Sequence, residues 1–233
     1  MANYLIIGAS SGIGKALAEK LSTNDNRVFG TYNSNTETQN NASPIEYFPL
    51  NILDETITID FLPETLDGVV YCPGSISLKP FERIKPADFI HDYNLQVVGA
   101  IKVIQAVASK LKNTPNSSIL LFSTVAVQIG LPFHAQVAAS KGAIEGLTKA
   151  LAAEYSPKIR VNCIAPSLTD TPLAAALLNT DQKREANALR HPLKRIGTTE
   201  DIANMAEFLL SSKASWMTGQ VLHLDGGMSS LKV

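Results

Sequence analysis

The sequence predicts an α/β fold with one doubly wound parallel sheet of about seven strands and helices on both of its faces. Apolar runs alternate with helical patterns along residues 3–224. Runs such as 68–72 and 118–122 are apolar almost throughout, which is typical of parallel strands covered on both faces. A chain of 233 residues suits one large domain, so we expect residues 1–233 to form a single domain.

The composition excludes several classes of function. A formal net charge of -1, with both signs mixed along the chain, offers no basic face to a nucleic acid. The only cysteines, Cys72 and Cys163, lie in apolar runs, which favours reduced, buried thiols over a disulfide or a metal site. No apolar stretch has the length of a membrane span, and no basic or apolar leader precedes the first apolar run. We therefore expect a soluble, cytoplasmic protein that binds no nucleic acid, membrane or metal.

The start of the chain predicts a strand, a tight turn and a helix. The apolar run 4–7 leads into three closely spaced glycines, and residues 15–21 carry apolar side chains at helical spacing. Glycines let the backbone turn sharply beside a ligand, and free N–H groups at a helix start attract an anion such as a pyrophosphate. A simple loop is the alternative, but the position between strand and helix favours a dinucleotide. The expected contacts are Gly8, Ser10, Ser11, Gly12, Ile13 and Gly14.

Four later segments add to this pattern. Residues 92–95 are Asp-Tyr-Asn-Leu, residues 137–151 form a helical pattern around Lys141, residues 158–167 form a buried strand that ends in Pro-Ser, and residues 217–227 end in Asp-Gly-Gly. With the GxxxGxG spacing of the first turn, these segments resemble the short-chain dehydrogenase/reductase family over nearly the whole chain. The resemblance implies a single-domain Rossmann fold and an NAD(P)-dependent oxidoreductase, of the carbonyl reductase or alcohol dehydrogenase type, acting on a small carbonyl or alcohol.

Residues 27–31 form the second predicted strand, and the turn that follows it bears on the choice of cofactor. NAD-preferring sites carry an acid there, whereas this chain has Asn33, Ser34 and Asn35 before any acid. No carboxylate repels a 2′-phosphate, and these side chains can donate hydrogen bonds to it. We expect NADP to be modestly preferred over NAD, although a solvated polar loop explains the residues almost as well. Residues 33–44 lack an apolar stripe, which predicts a loop or a single turn instead of a helix.

The resemblance implies further cofactor contacts. Asn51 and Ile52 stand where the family commonly has Asp-Val beside the adenine. Gly74 keeps the last residue of the family's Asn-Asn-Ala-Gly turn, which here includes Cys72. Near the nicotinamide, the implied contacts are Pro166, Ser167 in place of a glycine, Thr169 and Thr171.

Three helical patterns surround the expected site. Residues 86–111 carry apolar side chains at helical spacing, including Ile90 and Val97. Residues 172–192 fit a helical lid over an apolar pocket, with ordinary helix packing as the alternative. Residues 137–154 carry small and apolar side chains on more than one face, more than a surface helix should show. The family pairs this last helix between subunits, so we expect a homotetramer or a homodimer.

The proton-transfer residues depart from the family pattern, which is a Ser, a Tyr thirteen positions later and a Lys four positions after that. Aligning Lys141 with the family's Lys places Thr124 at the Ser and Val137 at the Tyr. None of the six tyrosines has a Lys four residues later, so no other register supplies the tyrosine. The resemblance implies that Lys141 holds the nicotinamide ribose, Thr124 polarises the substrate oxygen and Asn94 holds a water on the proton relay.

Two alternatives stay open at this point. His134 is a polar side chain near the missing tyrosine, and histidine can exchange protons near neutral pH. An exposed loop residue is nevertheless the simpler interpretation of His134. The competing class of function is a dinucleotide-binding protein without turnover, with a regulatory or structural role, because Val137 has no proton to give.

Overall fold

The computed structural model describes residues 1–34 and 44–232. Within these residues, seven strands form one parallel sheet in the order β3-β2-β1-β4-β5-β6-β7. The predicted doubly wound sheet is confirmed. The strands are β1 (Asn3–Ile7), β2 (Arg27–Tyr32), β3 (Ile45–Pro49), β4 (Gly68–Tyr71), β5 (Ser117–Phe122), β6 (Ile159–Pro166) and β7 (Val221–Leu224).

The strand order reverses beside β1. This strand pairs with β2 on one side and with β4 on the other, so the chain builds the sheet first toward one edge and then toward the opposite edge. A crevice opens at the carboxyl ends of the strands at such a switch point. The strands that end there are β1, β4, β5 and β6, with the last residues Ile7, Tyr71, Phe122 and Pro166.

Helices pack on both faces of the sheet through two hydrophobic cores. One core joins Phe29 of the sheet to α3 and α5, and the other joins Ile6 to α1 and α7. The described helices are α1 (Gly12–Ser22), α2 (Pro86–Tyr93), α3 (Gly99–Lys112), α4 (Ala126–Ile129), α5 (Ala135–Tyr155), α6 (Asp181–Leu189) and α7 (Thr199–Leu210). Short 3₁₀ turns span Phe81–Arg83, Pro172–Leu177 and Ser212–Ala214.

The predicted helix over residues 86–111 is confirmed, but a π-helical turn, Asn94–Val98, separates α2 from α3. Its cause is a tertiary hydrogen bond. The Tyr71 hydroxyl donates to the Leu95 carbonyl oxygen at 2.5 Å. The Gly99 N–H therefore donates to the carbonyl oxygen of Asn94, five residues earlier, and not to that of Leu95. A Cβ on Gly99 would lie 2.2 Å from the Tyr71 hydroxyl, so only glycine admits this contact.

The structure tests three further predictions, on the loop over residues 33–44, the cysteines and the absence of a membrane span, only in part. Most of the predicted loop over residues 33–44, including Asn35, lies outside the described residues, whereas Asn33 and Ser34 are described and exposed. Both cysteines are free, and Cys163 is buried. In the described parts of the chain, no helix has the length and apolar character that a membrane crossing requires.

Candidate active site

Two adjoining cavities open at the carboxyl ends of the central strands. The first, which we call the turn cavity, encloses about 430 Å³ and runs past residues 10–14, 31–34 and 50–53. The second, which we call the lysine cavity, encloses about 270 Å³ and contains Lys141 in its wall. One elongated ligand can lie across both cavities because their walls share Ile13, Cys72, Gly74, Thr171 and Leu173.

The turn between β1 and α1 depends on its glycines. Gly8 and Gly12 have φ values of +79° and +54°, in the left-handed region. A Cβ on Gly14 would lie 2.2 Å from the Gly8 carbonyl oxygen, so the helix can start this close to the turn only with glycine. Ser11 caps α1 without a side-chain hydrogen bond, which leaves first-turn N–H groups open to the turn cavity. This end of α1 fits a diphosphate.

The other end of the turn cavity is polar without being charged. Asn33 and Ser34 line it, and its described lining contains no Asp, Glu, Lys or Arg. Ile52 also lines this cavity and is buried. The Asn51 side chain is engaged locally, since its amide donates to Asp54 Oδ1 at 2.7 Å. The contact between Asn51 and an adenine therefore stays a prediction.

The structure brings Thr124 and Lys141 together in the lysine cavity. Thr124 follows β5, while Lys141 lies in α5, one helical turn after Val137, and all three line the cavity. The Val125 N–H donates to the Pro166 carbonyl oxygen at 3.1 Å. This bond ties the ends of β5 and β6 together, so the wall carries Thr124 beside the segment that follows β6.

The predicted nicotinamide-side residues continue from β6 along the same wall. Pro166, Ser167, Thr169 and Thr171 all line the lysine cavity, and Thr171 also lines the turn cavity. The Thr171 side chain caps the following 3₁₀ turn by accepting a hydrogen bond from the Ala174 N–H. Thr171 therefore lies where the two cavities meet.

Burial changes the acid–base behaviour of two groups in this wall. Desolvation lowers the pKa of the Lys141 ammonium to about 8, although Cys163, Asp92 and Cys72 act in the opposite direction. Lys141 Nζ lies 3.7 Å from where a Cβ on Gly74 would stand. Desolvation raises the pKa of the Cys72 thiol to about 12, so this thiol stays protonated near neutral pH and is not a nucleophile.

A buried carboxylate links three elements around Lys141. Asp92 of α2 is 1% exposed and accepts hydrogen bonds from Ser75 Oγ, from Ser140 Oγ at 2.6 Å and from Gln96 Nε2 at 2.8 Å. Ser75 follows β4, Gln96 belongs to the π-helical turn and Ser140 precedes Lys141 in α5. The three donors satisfy the buried carboxylate and hold these elements together.

The predicted relay residue lies apart from this network. Asn94 is exposed and lines neither the turn cavity nor the lysine cavity, so its role stays a prediction. Gln96 is fully buried and lines the lysine cavity. Its Oε1 has no hydrogen-bond partner among the described residues and lies 3.5 Å from where a Cβ on Gly74 would stand. Since a buried acceptor needs a donor, Gln96 is a functional candidate that sequence reasoning missed.

Two histidines complete the polar wall of the lysine cavity. His134, at the start of α5, is half-buried, and its Nδ1 lies 2.7 Å from the Pro132 carbonyl oxygen. His191, which sequence reasoning missed, is 2% exposed, with Nδ1 2.9 Å from the Asn187 carbonyl oxygen and Nε2 2.8 Å from Ser167 Oγ. A proton on Nδ1 of His191 makes Nε2 the acceptor of the Ser167 hydroxyl. Because His134 lines the lysine cavity, it is not simply an exposed loop residue.

Known proteins resemble this chain over much of its length. The profile of the family described as Enoyl-(Acyl carrier protein) reductase matches residues 8–229. The 3-oxoacyl-[acyl-carrier-protein] reductase FabG of Buchnera aphidicola subsp. Baizongia pistaciae is 32% identical over 237 residues, with 96% of each chain covered. The Inactive 2-(S)-hydroxypropyl-CoM dehydrogenase 2 of Xanthobacter autotrophicus is 39% identical over 142 residues, 59% of this chain and 62% of that one. The solved structure of ElxO with NADP bound has a TM-score of 0.85 and 25% identity, covering 99% of this chain and 100% of that one.

Proposed function

Because this chain belongs to the short-chain dehydrogenase/reductase family, we propose that it is an NAD(P)-dependent carbonyl reductase or alcohol dehydrogenase with an altered proton-delivery site. The observation that carries this proposal is the shared wall of the two cavities. The turn cavity fits a dinucleotide at the start of α1, and the lysine cavity places Thr124 and Lys141 at the other end of the same groove. A carbonyl in the lysine cavity would therefore lie beside both the cofactor and a hydroxyl donor.

The residues present fit a nicotinamide dinucleotide. The open N–H groups of α1 would hold the pyrophosphate, Asn33 and Ser34 the adenosine ribose, and Lys141 the nicotinamide ribose. When bound, the reduced nicotinamide supplies the hydride. The chain itself must orient the carbonyl, exclude water and deliver a proton to the oxygen.

Titration with each reduced cofactor, followed by nicotinamide fluorescence, tests this proposal. We expect NADPH to bind about tenfold tighter than NADH, because roughly 1.4 kcal/mol is within reach of one or two hydrogen bonds from Asn33 or Ser34. The structure of ElxO with NADP bound is consistent with NADP as the ligand of this fold. Asn33→Asp should reverse the order, since its carboxylate would repel the 2′-phosphate. Failure to bind either cofactor would overturn the proposed function, whereas tighter NADH binding would overturn only the phosphate argument.

The proton must reach the substrate oxygen without a tyrosine. We interpret Val137 as occupying the family's tyrosine position, and its side chain carries no exchangeable proton. The Thr124 hydroxyl can donate one hydrogen bond to the oxygen. The candidate proton donors on the same wall are the ammonium of Lys141 and the imidazole of His134.

Gln96 would position the group that meets Lys141. Gln96 Oε1 and Lys141 Nζ both lie within 4 Å of the same point beside Gly74. A water or a ribose hydroxyl lying between these two atoms, in van der Waals contact with Gly74, can accept a hydrogen bond from the ammonium and donate one to the amide oxygen. We therefore assign to Gln96 the positioning role that the family resemblance gave to Asn94.

The affinity for NADPH should fall as pH rises through about 8. Lys141 would bind the ribose as an ammonium, and its pKa of about 8 means that this charged form is lost above that pH. Fluorescence titration from neutral pH upward measures the effect. Lys141→Met should bind at every pH as weakly as the native protein does at high pH. A native affinity that stays flat across this range would contradict the role of Lys141.

The competing function is a dinucleotide-binding protein without turnover, in a regulatory or structural role. Val137 favours it, and so does the likeness to a protein named as inactive. Thr124 argues against it because pure cofactor binding needs no hydroxyl donor in the adjoining cavity, whereas Lys141 fits both functions through its contact with the ribose. Oxidation of NADPH against a panel of carbonyl compounds, run beside the cofactor titration, separates the two functions. Binding without any oxidation would favour the competing one.

We also propose that the chain forms a homotetramer or a homodimer through α5. The exposed side of this helix carries the small residues Ala139, Gly146 and Ala150, which permit a close approach of a second helix. Sedimentation at micromolar concentration should show a single species larger than a monomer, and Ala150→Glu should shift it to smaller species. A native protein that sediments only as a monomer would reject this proposal.

A further inference from the structure

The lysine cavity carries positive side chains and no negative ones. Lys141 of α5 and Arg190, just after α6, both line it, and within the described residues the lining contains no Asp or Glu. Much of the remaining wall is apolar, with Leu131, Leu173 and Leu177 among its residues. The cavity thus combines apolar surface with two cations that come from different elements.

The arginines on either side of Arg190 in the sequence, Arg184 and Arg195, are already paired with carboxylates. Arg184 of α6 binds Asp170 through two hydrogen bonds of 2.7 and 3.3 Å. Arg195 binds Asp201 in the same two-bonded manner, with one bond of 2.8 Å. Such forked pairs are the preferred geometry between a guanidinium and a carboxylate.

Arg190 lines the lysine cavity without such a partner. Its Nη1 donates to Asn187 Oδ1 at 3.4 Å, and within the described residues it forms no salt bridge. A guanidinium has five N–H donors in a rigid fork that matches a planar oxyanion. Arg190 can therefore bind a carboxylate of a ligand, just as Arg184 and Arg195 bind carboxylates of this chain.

We propose that the substrate is an oxo acid, a carbonyl compound with an apolar body and an oxyanion at its other end. Its carbonyl oxygen would meet Thr124, its apolar part would contact the leucine side chains, and its oxyanion would bind Arg190 beside the Asn187 amide. This inference rests on the proposed function, since that function places the reacting carbonyl at Thr124. A neutral substrate could accept hydrogen bonds from the guanidinium but would lack the charge attraction that strengthens them.

Calorimetric titration of the protein with levulinate and its longer-chain homologues, each beside its methyl ester, tests the inference. At low salt, the acids should bind about tenfold or more tightly than the esters, and added salt should reduce the difference. The matching phosphonates show whether the oxyanion is better carried as a carboxylate or as a phosphate-like group. Every titration is run with and without NADPH.

Variants of Arg190 assign the effect to this side chain. Arg190→Gln should bring acid and ester to within about twofold of each other, and Arg190→Lys should keep part of the difference because it retains the charge without the fork. Lys194→Gln is the matched control, since Lys194 is an exposed cation of the same region that does not line the lysine cavity. It should leave the preference for the acids unchanged.

Two results would overturn the inference: equal binding of acid and ester by the native protein, or a preference that survives Arg190→Gln. The parallel NADPH titration keeps this failure apart from that of the proposed function. NADPH binding without a preference for acids rejects the oxo acid alone. A preference that Arg190→Gln removes, in a protein that binds no NADPH, rejects the reductase and keeps Arg190 as an oxyanion site.

Discussion

Changing Val137 to tyrosine is expected to raise the rate of carbonyl reduction by about 10²–10⁴-fold, the range that a positioned general acid contributes. Val137 is 5% exposed and lines the lysine cavity one helical turn before Lys141. A phenol there would lie near the ammonium, which favours the phenolate and lowers the phenol pKa. The gain corresponds to about 3–5 kcal/mol of transition-state stabilisation.

Two further variants identify the cause of any gain. Val137→Phe adds the same ring without a proton, so it should not raise the rate. His134→Ala shows whether the native protein takes its proton from this imidazole, in which case the variant should lose the native activity. NADPH oxidation measures all of these rates. A native rate that is already high, indifferent to His134 and unchanged by the tyrosine would contradict the proposed loss of the acid.

Gly14→Ala is expected to abolish measurable NADPH binding and to destabilise the fold. The new Cβ would lie 2.2 Å from the oxygen and 3.0 Å from the carbon of the Gly8 carbonyl. Both atoms belong to the backbone of the turn, which must shift to make room, at a cost of about 1–3 kcal/mol or more in free energy of unfolding. The same shift would move the N–H groups that should hold the pyrophosphate.

Gly146→Ala serves as the control for this substitution. Its Cβ would meet no atom within 4 Å in this chain, and alanine favours a helix over glycine by about 1 kcal/mol. Alanine is as small as Ala139 and Ala150 on the same side of α5, so the proposed assembly should also be kept. Affinity for NADPH should therefore stay at the native value. Urea unfolding and fluorescence titration measure stability and binding for both variants. Native-like binding by Gly14→Ala would show that the pyrophosphate does not depend on this turn.

The fold was predictable because its signals are local. A parallel strand covered on both faces needs an apolar run, and each run assigned to a strand in the sequence lies in the sheet. The glycine turn was predictable for a similar reason. Gly8 and Gly12 have positive φ values, and Gly14 allows a close backbone approach, requirements that few other residues meet.

The π-helical turn was not predictable from a repeating helical pattern. It depends on the Tyr71 hydroxyl taking the Leu95 carbonyl oxygen, a contact between a strand and a helix far apart in sequence. Ile90 was counted on the apolar stripe, yet its side chain is 62% exposed. Asp92 and Gln96, four residues apart, occupy the buried side, and this spacing of two polar residues in an apolar helix was the available signal.

The contacts of the histidines were also beyond sequence reasoning. His191 meets Ser167 only because the chain beyond α6 returns to the end of β6. His134 lines the lysine cavity because α5 starts beside it. Such tertiary contacts produce no periodic pattern in the sequence. The family resemblance therefore predicted α5 and Lys141 as part of the site without predicting the groups that surround them.

Isotope transfer in a single turnover shows whether this protein reduces a carbonyl with NADPH. The native protein is loaded with NADPH deuterated at the transferable position of the nicotinamide and mixed with a panel of carbonyl compounds that includes oxo acids. A reductase without its tyrosine should form an alcohol with one deuterium on the former carbonyl carbon, slowly in the native protein and faster in Val137→Tyr. Bound NADPH that transfers no deuterium to any compound, in the native protein or in Val137→Tyr, would contradict the proposed reductase function.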